Sequence, residues 1–409
     1  MLIQSSRQAA SSAQRLLRSP HFSLPMVLDS VYWASMDGQQ FFPIGSYCSS
    51  TVWGGLEMNV LNFLVWMRER GWPVFLYARP DTPLAQHAFE QKIPLRPVPA
   101  AAGISALWNA GKLARPVTND QLKVLIVHQS RDLLLCALVR QRAGEKPKLI
   151  FSQNMHLGNK RDMIHAWQYR RLDAFVAPVA ILAKQARRQT VVPPEKIHII
   201  PHGIESDRFS HRPDRSESRC RLNLPLEPTI IGIIGRLDPK KGQHLGIQAL
   251  AKLHTSGVQP HLLIVGDPTL DEKDGYQKYL LGLVDELKLK DFVHFRPYQQ
   301  NPETGYGAID IFVLTSQSET YGLVTIEAMT AGLPVIGTAS GGTVNLIDNG
   351  RTGLLFPPDD PETLSQMLLR YLRDPEYAAR LADAGRGDAL ARYSHTTQCA
   401  SWEKLIRSL

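Results

Sequence analysis

Paired cysteines and long apolar runs are both missing from this sequence. Its four cysteines, Cys48, Cys136, Cys220 and Cys399, show no paired spacing of the kind that binds zinc. We therefore expect neither a zinc site nor a disulfide framework, and a reducing, cytoplasmic compartment fits best. Leu133–Val139 is among the longest apolar runs, far below the ~20 residues of a membrane-spanning helix. We do not expect the chain to cross a membrane.

Three further motifs are absent. No Gly-x-Gly-x-x-Gly follows a predicted strand, which argues against a nicotinamide-dependent dehydrogenase. No zinc finger, RNP-type motif or basic run interleaved with aromatic residues occurs, so nucleic acid is not an expected partner. No metal-binding Asp-x-Asp pair occurs either, and we interpret the acidic segment Asp271–Asp274 as a solvated loop. We expect no metal and no cofactor.

Positive charge is concentrated in the first half of the chain. Lys and Arg outnumber Asp and Glu by 24 to 13 in residues 1–205, whereas the remainder holds 22 and 25. A basic half favours an anionic partner. We expect either a phosphorylated acceptor or a peripheral contact with the anionic inner face of a membrane. A merely solvated basic face is the alternative.

The first 40 residues differ from the rest. They contain Arg7, Arg15 and Arg18, many Ser, Ala and Gln residues, and no acidic residue before Asp29. This composition resembles an organelle transit peptide or an amphipathic surface helix, and it lacks the apolar core of a secretory signal. We interpret the segment as a weakly ordered extension.

Short apolar runs alternate with amphipathic helices such as Leu56–Gly71 along the rest of the chain. Apolar runs without polar alternation are typical of parallel strands that are covered on both faces. The runs predicted as strands are Val74–Ala78, Lys123–Gln129, Lys148–Asn154, Ala174–Val179 and Ile197–Gly203, then Thr229–Arg236, His261–Asp267, Phe292–Tyr298, Asp310–Ser316, Leu333–Ala339 and Thr352–Pro358. The pattern predicts an α/β fold of two doubly wound, Rossmann-like domains, with a ligand site in the cleft between them.

The segment Ser318–Gly342 carries the most specific motif. Glu319 and Glu327 are separated by seven residues. If a helix begins near Leu323, the residues Thr320–Leu323 lie at its N-terminus, where unpaired backbone N–H groups favour a phosphate. Both carboxylates can then reach one ligand whose phosphates lie between them.

This motif resembles that of the retaining glycosyltransferases of family four (group 1), which have the GT-B fold. The shared pattern continues as Glu327-Ala-Met, Gly332, Pro334-Val335-Ile336 and Gly341-Gly342, and the resemblance runs from about Gly45 to the C-terminus. It implies that Glu319 contacts the transferred sugar and that Glu327 holds the nucleotide ribose. It also implies donor contacts at Thr320, Tyr321, Gly322, Leu323 and Val324, and a retaining, metal-independent hexosyltransferase.

The resemblance also assigns roles to the domains. Residues 41–205 form the acceptor-binding domain after the extension 1–40, and residues 206–390 form the nucleotide-sugar-binding domain. The segment 391–409 is expected to be a helix that packs back on the first domain. The partners implied are a nucleotide sugar, with UDP or GDP, and a glycan or lipid-linked acceptor.

Two basic residues and a glycine pair complete the predicted donor site. Arg236 ends a predicted strand and Lys241 follows five residues later, so both can neutralise a diphosphate leaving group. Gly54 and Gly55 precede a helix and permit close approach of backbone to phosphate or sugar. The family places such residues around the donor diphosphate.

The acceptor side is less defined. Many relatives have a histidine after the strand matching Lys148–Asn154, whereas this sequence has Asn154 there and His156 two residues later. His156 is therefore one catalytic candidate, and His128, at the end of the preceding strand, is another residue of the acceptor side. Lys160 and Arg161 are candidates for an anionic acceptor. This segment distantly resembles enzymes of bacterial lipopolysaccharide and surface polysaccharide synthesis.

Two alternatives share the fold. A nucleotide-sugar-binding protein with impaired catalysis would retain the donor motif and lack the acceptor-side histidine. A sugar epimerase or glycan phosphorylase would have the same two domains, although no lysine context for pyridoxal phosphate is recognisable. Turnover of a nucleotide sugar separates a transferase from a binding protein.

Overall fold

A computed structural model describes residues 41–98, 105–144, 146–268, 275–299 and 301–409, without the side chains of residues 105–107. The extension 1–40 and the acidic segment Asp271–Asp274 lie outside the described residues. The described chain forms two parallel β-sheets, as the run of buried apolar segments predicts.

The first sheet has the strand order β3-β2-β1-β4-β5-β6-β7. Its strands are β1 (Ile44–Cys48), β2 (Val74–Ala78), β3 (Leu95–Pro97), β4 (Val124–Val127), β5 (Lys148–Ser152), β6 (Ala174–Ala177) and β7 (Ile197–Ile199). The five strands predicted here are confirmed, but β1 and β3 were not predicted. The interior strand β1 is fully buried although Gly45 and Ser46 interrupt its apolar run, and β3 is an edge strand of three residues.

The second sheet has the strand order β10-β9-β8-β11-β12-β13. Its strands are β8 (Ile230–Ile234), β9 (His261–Val265), β10 (Val293–Arg296), β11 (Ile311–Leu314), β12 (Val335–Thr338) and β13 (Leu354–Phe356), and each lies within a predicted run. All strands are parallel, but the strand order reverses between β8 and β11: the chain adds β9 and β10 on one side of β8 and then places β11 on the other side. Ligands of open α/β sheets bind beside the carboxyl ends of strands at such a point.

Helices connect the strands and cover both sheets. They are α1 (Gly55–Glu69), α2 (Pro83–Glu90), α3 (Ser105–Asn119), α4 (Leu133–Arg142), α5 (Met163–Tyr169), α6 (Ala180–Gln189), α7 (Ser206–Ser210), α8 (Arg215–Arg221), α9 (Gln243–Thr255), α10 (Gly275–Glu286), α11 (Pro302–Ala308), α12 (Leu323–Thr330), α13 (Thr343–Leu346), α14 (Pro361–Arg373), α15 (Pro375–Arg392) and α16 (His395–Ser408). None of these described helices combines the length and apolar character required to cross a membrane.

The chain passes between the sheets twice, and the two crossings pair with each other. The backbone N–H of Ile204 donates to the carbonyl of Tyr393 at 2.9 Å, and that of His395 donates back to Ile204 at 2.9 Å. Helix α16 then packs on α1 of the first sheet. There Glu403 accepts hydrogen bonds from Arg70 at 2.7 Å and from the Trp72 indole at 3.0 Å.

An ion pair between a fully buried arginine and a partly exposed aspartate ties α8 to the second sheet. The guanidinium of Arg219 is 0% exposed and lies 2.7 Å from the Asp310 carboxylate, just before β11. Asp310 also accepts hydrogen bonds from the Ile230 backbone at 2.8 Å and from Arg215 at 3.0 Å. Removing one partner of a buried pair leaves a charge without compensation, which costs more than the pair contributes.

We predict that Asp310→Ala lowers the free energy of unfolding by about 3 kcal/mol, because Arg219 stays buried without its counter-charge. Denaturant unfolding followed by fluorescence and circular dichroism measures this change. The control Glu217→Ala breaks an exposed pair with Arg221 on the same helix and should move the midpoint little. Equal midpoints for the two variants would contradict the structural role of Asp310.

Candidate active site

Helix α12 begins at Leu323, as the motif predicts. The residue before it, Gly322, has φ of 96°, a left-handed conformation that side chains other than glycine rarely adopt. The first backbone N–H groups of the helix, at Leu323 and Val324, have no acceptor within the helix. They therefore form an anion-binding end at the carboxyl edge of the second sheet, beside β11.

The glycine pair Gly341-Gly342 packs against the other end of the motif. A Cβ atom at Gly341 would lie 2.3 Å from the carbonyl oxygen of Glu319, and one at Gly342 would lie 2.5 Å from that of Thr320. The N–H of Gly342 donates to the Glu319 carbonyl at 2.7 Å. Two glycines are thus required by a close backbone approach that fixes Glu319.

The Glu319 carboxylate is paired with a predicted cation. Lys241 Nζ lies 2.6 Å from Glu319 Oε2, and Ser316 Oγ donates to the same oxygen at 3.2 Å. Lys241 is held in place because its carbonyl accepts a hydrogen bond of 2.7 Å from Thr315 Oγ1, at the end of β11. The sequence motifs place Lys241 and Glu319 on one ligand but predict neither this direct contact nor the hydrogen bond from Ser316.

Arg236 lies at the exposed edge of the same site. Its side chain is 59% exposed and approaches Asp238 at 3.4 Å. The Arg236 carbonyl accepts a hydrogen bond of 2.9 Å from Gln243 Nε2, which fixes the loop after β8. Arg236 and Lys241 therefore belong to one short loop, with one cation in contact with Glu319 and the other facing solvent.

Glu327 has a different environment, in the second turn of α12. It is partly buried, and its Oε2 accepts a hydrogen bond of 2.6 Å from the Tyr306 hydroxyl. Burial raises the pKa of Glu327, whereas the hydrogen bond from Tyr306 and the nearby Arg208 oppose that rise. No sequence motif predicts the role of Tyr306, because a tyrosine between two glycines in a short helix carries no local signal of its partner.

Two donor-motif residues contribute differently from the expectation. Tyr321 is 6% exposed, and its hydroxyl donates to the His202 carbonyl at 2.6 Å. Its side chain thus contacts the crossing between the domains. Thr320 is partly buried directly beneath Gly342.

On the first domain, His128 and Asn154 line one cavity with His202, Gln398 and Trp402. His128 Nε2 lies 3.0 Å from Ser46 Oγ. Burial is the main cause that lowers the pKa of His128 to about 3 and that of His202 to about 4. Both rings are therefore neutral at neutral pH. His202 was named by no motif, although it lies within the predicted run Ile197–Gly203, three residues after the observed end of β7.

The remaining predicted residues of the first domain are dispersed. His156 is exposed. Arg161 donates to the carbonyls of Arg188 at 3.0 Å and Arg187 at 3.3 Å, so it caps the C-terminus of α6. Lys160 Nζ lies 3.3 Å from His165 Nε2.

The glycine pair of the first domain, Gly54 and Gly55, lies where α1 begins. Gly54 is the N-cap of α1, and the buried Glu57 follows in the first turn of that helix. This places Gly54 and Gly55 after the carboxyl end of β1, the edge where open α/β sheets bind ligands.

The arrangement can hold a diphosphate and two sets of hydroxyl groups. The N-terminus of α12 and the cations Lys241 and Arg236 can bind phosphates. The carboxylates of Glu319 and Glu327 can accept hydrogen bonds from hydroxyl groups. No cluster of three or more His, Cys, Asp or Glu residues suited to a metal ion occurs within the described ranges.

Comparison with known proteins finds one matching family model for each half of the chain. The family model "Glycosyltransferase Family 4" matches residues 53–208, and "Glycosyl transferases group 1" matches residues 214–388. The D-inositol 3-phosphate glycosyltransferase of Streptomyces scabiei is 32% identical over 232 residues, which are 54% of this chain and 50% of that protein. The chain thus spans about half the length of the curated relatives it matches.

Solved structures share the fold over nearly the whole chain. Anabaena HepE, solved in complex with UDP, has a TM-score of 0.80 at 21% identity and covers 90% of this chain and 100% of its own. The lipopolysaccharide outer core galactosyltransferase WaaB has a TM-score of 0.70 at 15% identity and covers 90% and 99%. With the GT-B fold of two parallel sheets and two family models that together match most of its length, the chain belongs to the group 1 glycosyltransferases of family 4.

Proposed function

We propose that this protein transfers a hexose from a UDP- or GDP-sugar to a glycan or lipid-linked acceptor, with retention of anomeric configuration and without a metal ion. The observation that carries the proposal is the contact of Lys241 with Glu319 beside the N-terminus of α12. It joins a cation for the leaving diphosphate to a carboxylate for the sugar. Anabaena HepE was solved with UDP-glucose, which supports a nucleotide-sugar donor.

In this mechanism, negative charge grows on the diphosphate while the sugar becomes cationic. Lys241, Arg236 and the first N–H groups of α12 stabilise the growing negative charge, because all of them lie at this edge of the site before the bond breaks. The diphosphate competes with Glu319 for Lys241. Glu319 is then available for a hydroxyl group of the transferred sugar, next to its reacting carbon.

A phosphorylated or membrane-bound acceptor fits the charge of the first domain. Relatives are named for inositol 3-phosphate, and WaaB is named for lipopolysaccharide. We therefore retain synthesis of lipopolysaccharide or another surface polysaccharide as the proposed role, at the inner face of the membrane.

The α5–α6 surface is the candidate for that peripheral contact. It presents the apolar side chains of Met163, Ile164 and Ile181, which are 90%, 63% and 38% exposed. The exposed basic residues of the same surface are Arg161, Arg170, Lys184, Arg187 and Arg188. Exposed apolar side chains together with exposed cations on and next to the same two helices match an anionic lipid surface.

The alternative is a binding protein with impaired catalysis. One feature favours it: the strand end at Ser152 lacks the histidine of many relatives, and His156 is exposed. Burial lowers the pKa of His128 and of His202, which makes both rings weak general bases. Attack by the acceptor on the same face of the sugar as the leaving diphosphate depends less on a general base. Turnover of the donor decides between a transferase and a binding protein.

We predict that one donor in a panel of UDP-, GDP- and ADP-sugars is slowly hydrolysed without added metal. Glu319→Ala should lower its turnover about a hundredfold with little change in KM, since the carboxylate acts on the reacting sugar. Chromatographic assay of free nucleoside diphosphate measures this. Glu376→Ala, which removes an exposed carboxylate from the first turn of α15, is the control. Tight nucleotide binding without turnover, even with candidate acceptors, would favour the binding protein.

Arg236→Ala should both raise KM and lower kcat, by about tenfold or more in kcat/KM, because the diphosphate charge grows during the reaction. Initial rates over a range of donor concentrations measure the two constants. Arg221 is an equally exposed arginine at 59% on α8, so Arg221→Ala is the matched control. If both variants behave alike, Arg236 does not contact the diphosphate.

Met163→Ser combined with Ile164→Ser should weaken binding to vesicles of phosphatidylglycerol and phosphatidylcholine several-fold, because two exposed apolar anchors are lost. Added salt should weaken binding of the unmodified protein as well. Vesicle cosedimentation measures both effects. Leu281→Ser alters a 45% exposed apolar residue of the other domain and is the control. Equal binding to uncharged vesicles would contradict the proposed surface.

A further inference from the structure

Tyr306 is among the most enclosed side chains of the second domain. It lies in α11 with 0% exposure. Its ring packs edge-on against Phe209 at 5.7 Å and lies 6.1 Å from Phe312 of β11. A ring held from two sides has little rotational freedom, so the position of the hydroxyl group is set by the core.

The Tyr306 hydroxyl lies between two acceptors of α12. It is 2.6 Å from Glu327 Oε2 and 3.2 Å from the carbonyl oxygen of Val324. A hydroxyl has one proton to donate, and the carboxylate is the stronger acceptor at the shorter distance. The same group therefore holds the carboxylate and touches the first turn of the helix whose N–H groups face the predicted phosphate.

Two further charged groups act on Glu327. Arg208 of α7 and Glu303 of α11 lie nearby and pair with each other at 3.0 Å. Burial raises the pKa of Glu327 most, and Glu303 adds to that rise. The hydrogen bond from Tyr306 and the charge of Arg208 lower the pKa. Tyr306 thus favours the carboxylate form at a site where burial opposes it.

We propose that Tyr306 is the positioning residue of the ribose contact: it fixes one oxygen of Glu327 and leaves the carboxylate to accept the hydroxyl groups of the donor ribose. The inference rests on the proposed function, because it takes a nucleotide as the ligand of Glu327. It goes further by making Tyr306 responsible for discrimination between ribose and deoxyribose. A binding site built around a substrate hydroxyl discriminates strongly against an analogue that lacks it.

The test compares UDP with 2′-deoxy-UDP, or GDP with 2′-deoxy-GDP if the donor panel selects guanine, by isothermal titration calorimetry. Tyr306→Phe keeps the ring and removes the hydroxyl. It should weaken the ribonucleotide about tenfold, the loss of one hydrogen bond to a charged group. It should weaken the deoxynucleotide much less. The ribose ratio, which is the dissociation constant of the deoxynucleotide divided by that of the ribonucleotide, should therefore fall. With donor sugar, KM should rise while kcat stays near that of the unmodified enzyme.

The pH dependence gives a second readout. The carboxylate is needed to accept the ribose, so nucleotide affinity is present above the pKa of Glu327 and lost as the pH falls through it. Without the Tyr306 hydrogen bond that pKa rises. The loss of affinity should therefore occur at higher pH in Tyr306→Phe. Glu327→Gln cannot ionise and should remove this step from the profile.

Tyr371→Phe is the matched control. Tyr371 is a buried tyrosine of the same domain, and its hydroxyl donates to the Val335 carbonyl at 3.2 Å, away from Glu327. It should change neither the ribose ratio nor the pH profile. Thermal unfolding of both variants checks that each is folded. If Tyr306→Phe is unstable, the ribose ratio of the unmodified protein measured across pH still tests the ionised form of Glu327.

The outcomes separate the two proposals. Suppose that Glu327→Ala abolishes discrimination between ribose and deoxyribose. An unchanged ribose ratio and an unchanged pH profile in Tyr306→Phe would then overturn the inference about Tyr306 and leave the donor site in place. If Glu327→Ala also leaves the ratio unchanged, or if no nucleoside diphosphate binds, the proposed donor site itself is wrong. A reduced ratio in Tyr306→Phe together with a shifted pH profile supports the positioning role.

Discussion

The candidate site depends on a close approach of two backbone segments after β11 and β12. Gly341 and Gly342 lie against the carbonyls of Glu319 and Thr320, at distances that exclude a side chain. This approach sets where the Glu319 carboxylate emerges. The same segment then turns through the left-handed Gly322 into α12. Loss of the close packing would displace both the carboxylate and the helix N-terminus, because they share one short stretch of chain.

Two carboxylates of one motif acquire different properties from their surroundings. Glu319 is 16% exposed and pairs with Lys241, a point charge that a diphosphate can also attract. Glu327, which is also partly buried, accepts a hydrogen bond from the neutral hydroxyl of Tyr306. The first is thus suited to a contact that changes during a reaction, and the second to a fixed contact that is the same before and after it. That difference is what the proposed function requires of the contacts to the transferred sugar and to the nucleotide.

The donor motif also contacts the connection between the domains. Tyr321 donates to the His202 carbonyl, two residues before the backbone pairing of Ile204 with Tyr393 and His395. His202 in turn lines the cavity that holds His128 and Asn154. The site of the second domain and the cavity of the first are therefore connected through one tyrosine. A change in domain orientation would have to alter this contact.

The sequence by itself determined the parts of the protein that depend on local patterns. Buried parallel strands require apolar runs, and eleven of the thirteen described strands lie within runs predicted from the sequence. The start of α12 follows from glycine and helix chemistry around Leu323. The two missed strands illustrate the limit: β1 carries Gly45 and Ser46, so it has no continuous apolar run, although it pairs with β2 at one edge and with β4 at the other.

Tertiary structure alone decided which groups meet at the site. Lys241 and Glu319 are 78 positions apart and touch because β8 and β11 are neighbours in the sheet. Tyr306 reaches Glu327 because α11 and α12 flank β11. Arg161 caps α6, a role that its basic neighbourhood in the sequence did not indicate. Apolar periodicity reports burial, which is a local preference, whereas a hydrogen-bond partner is fixed by strand order and by the packing of distant elements.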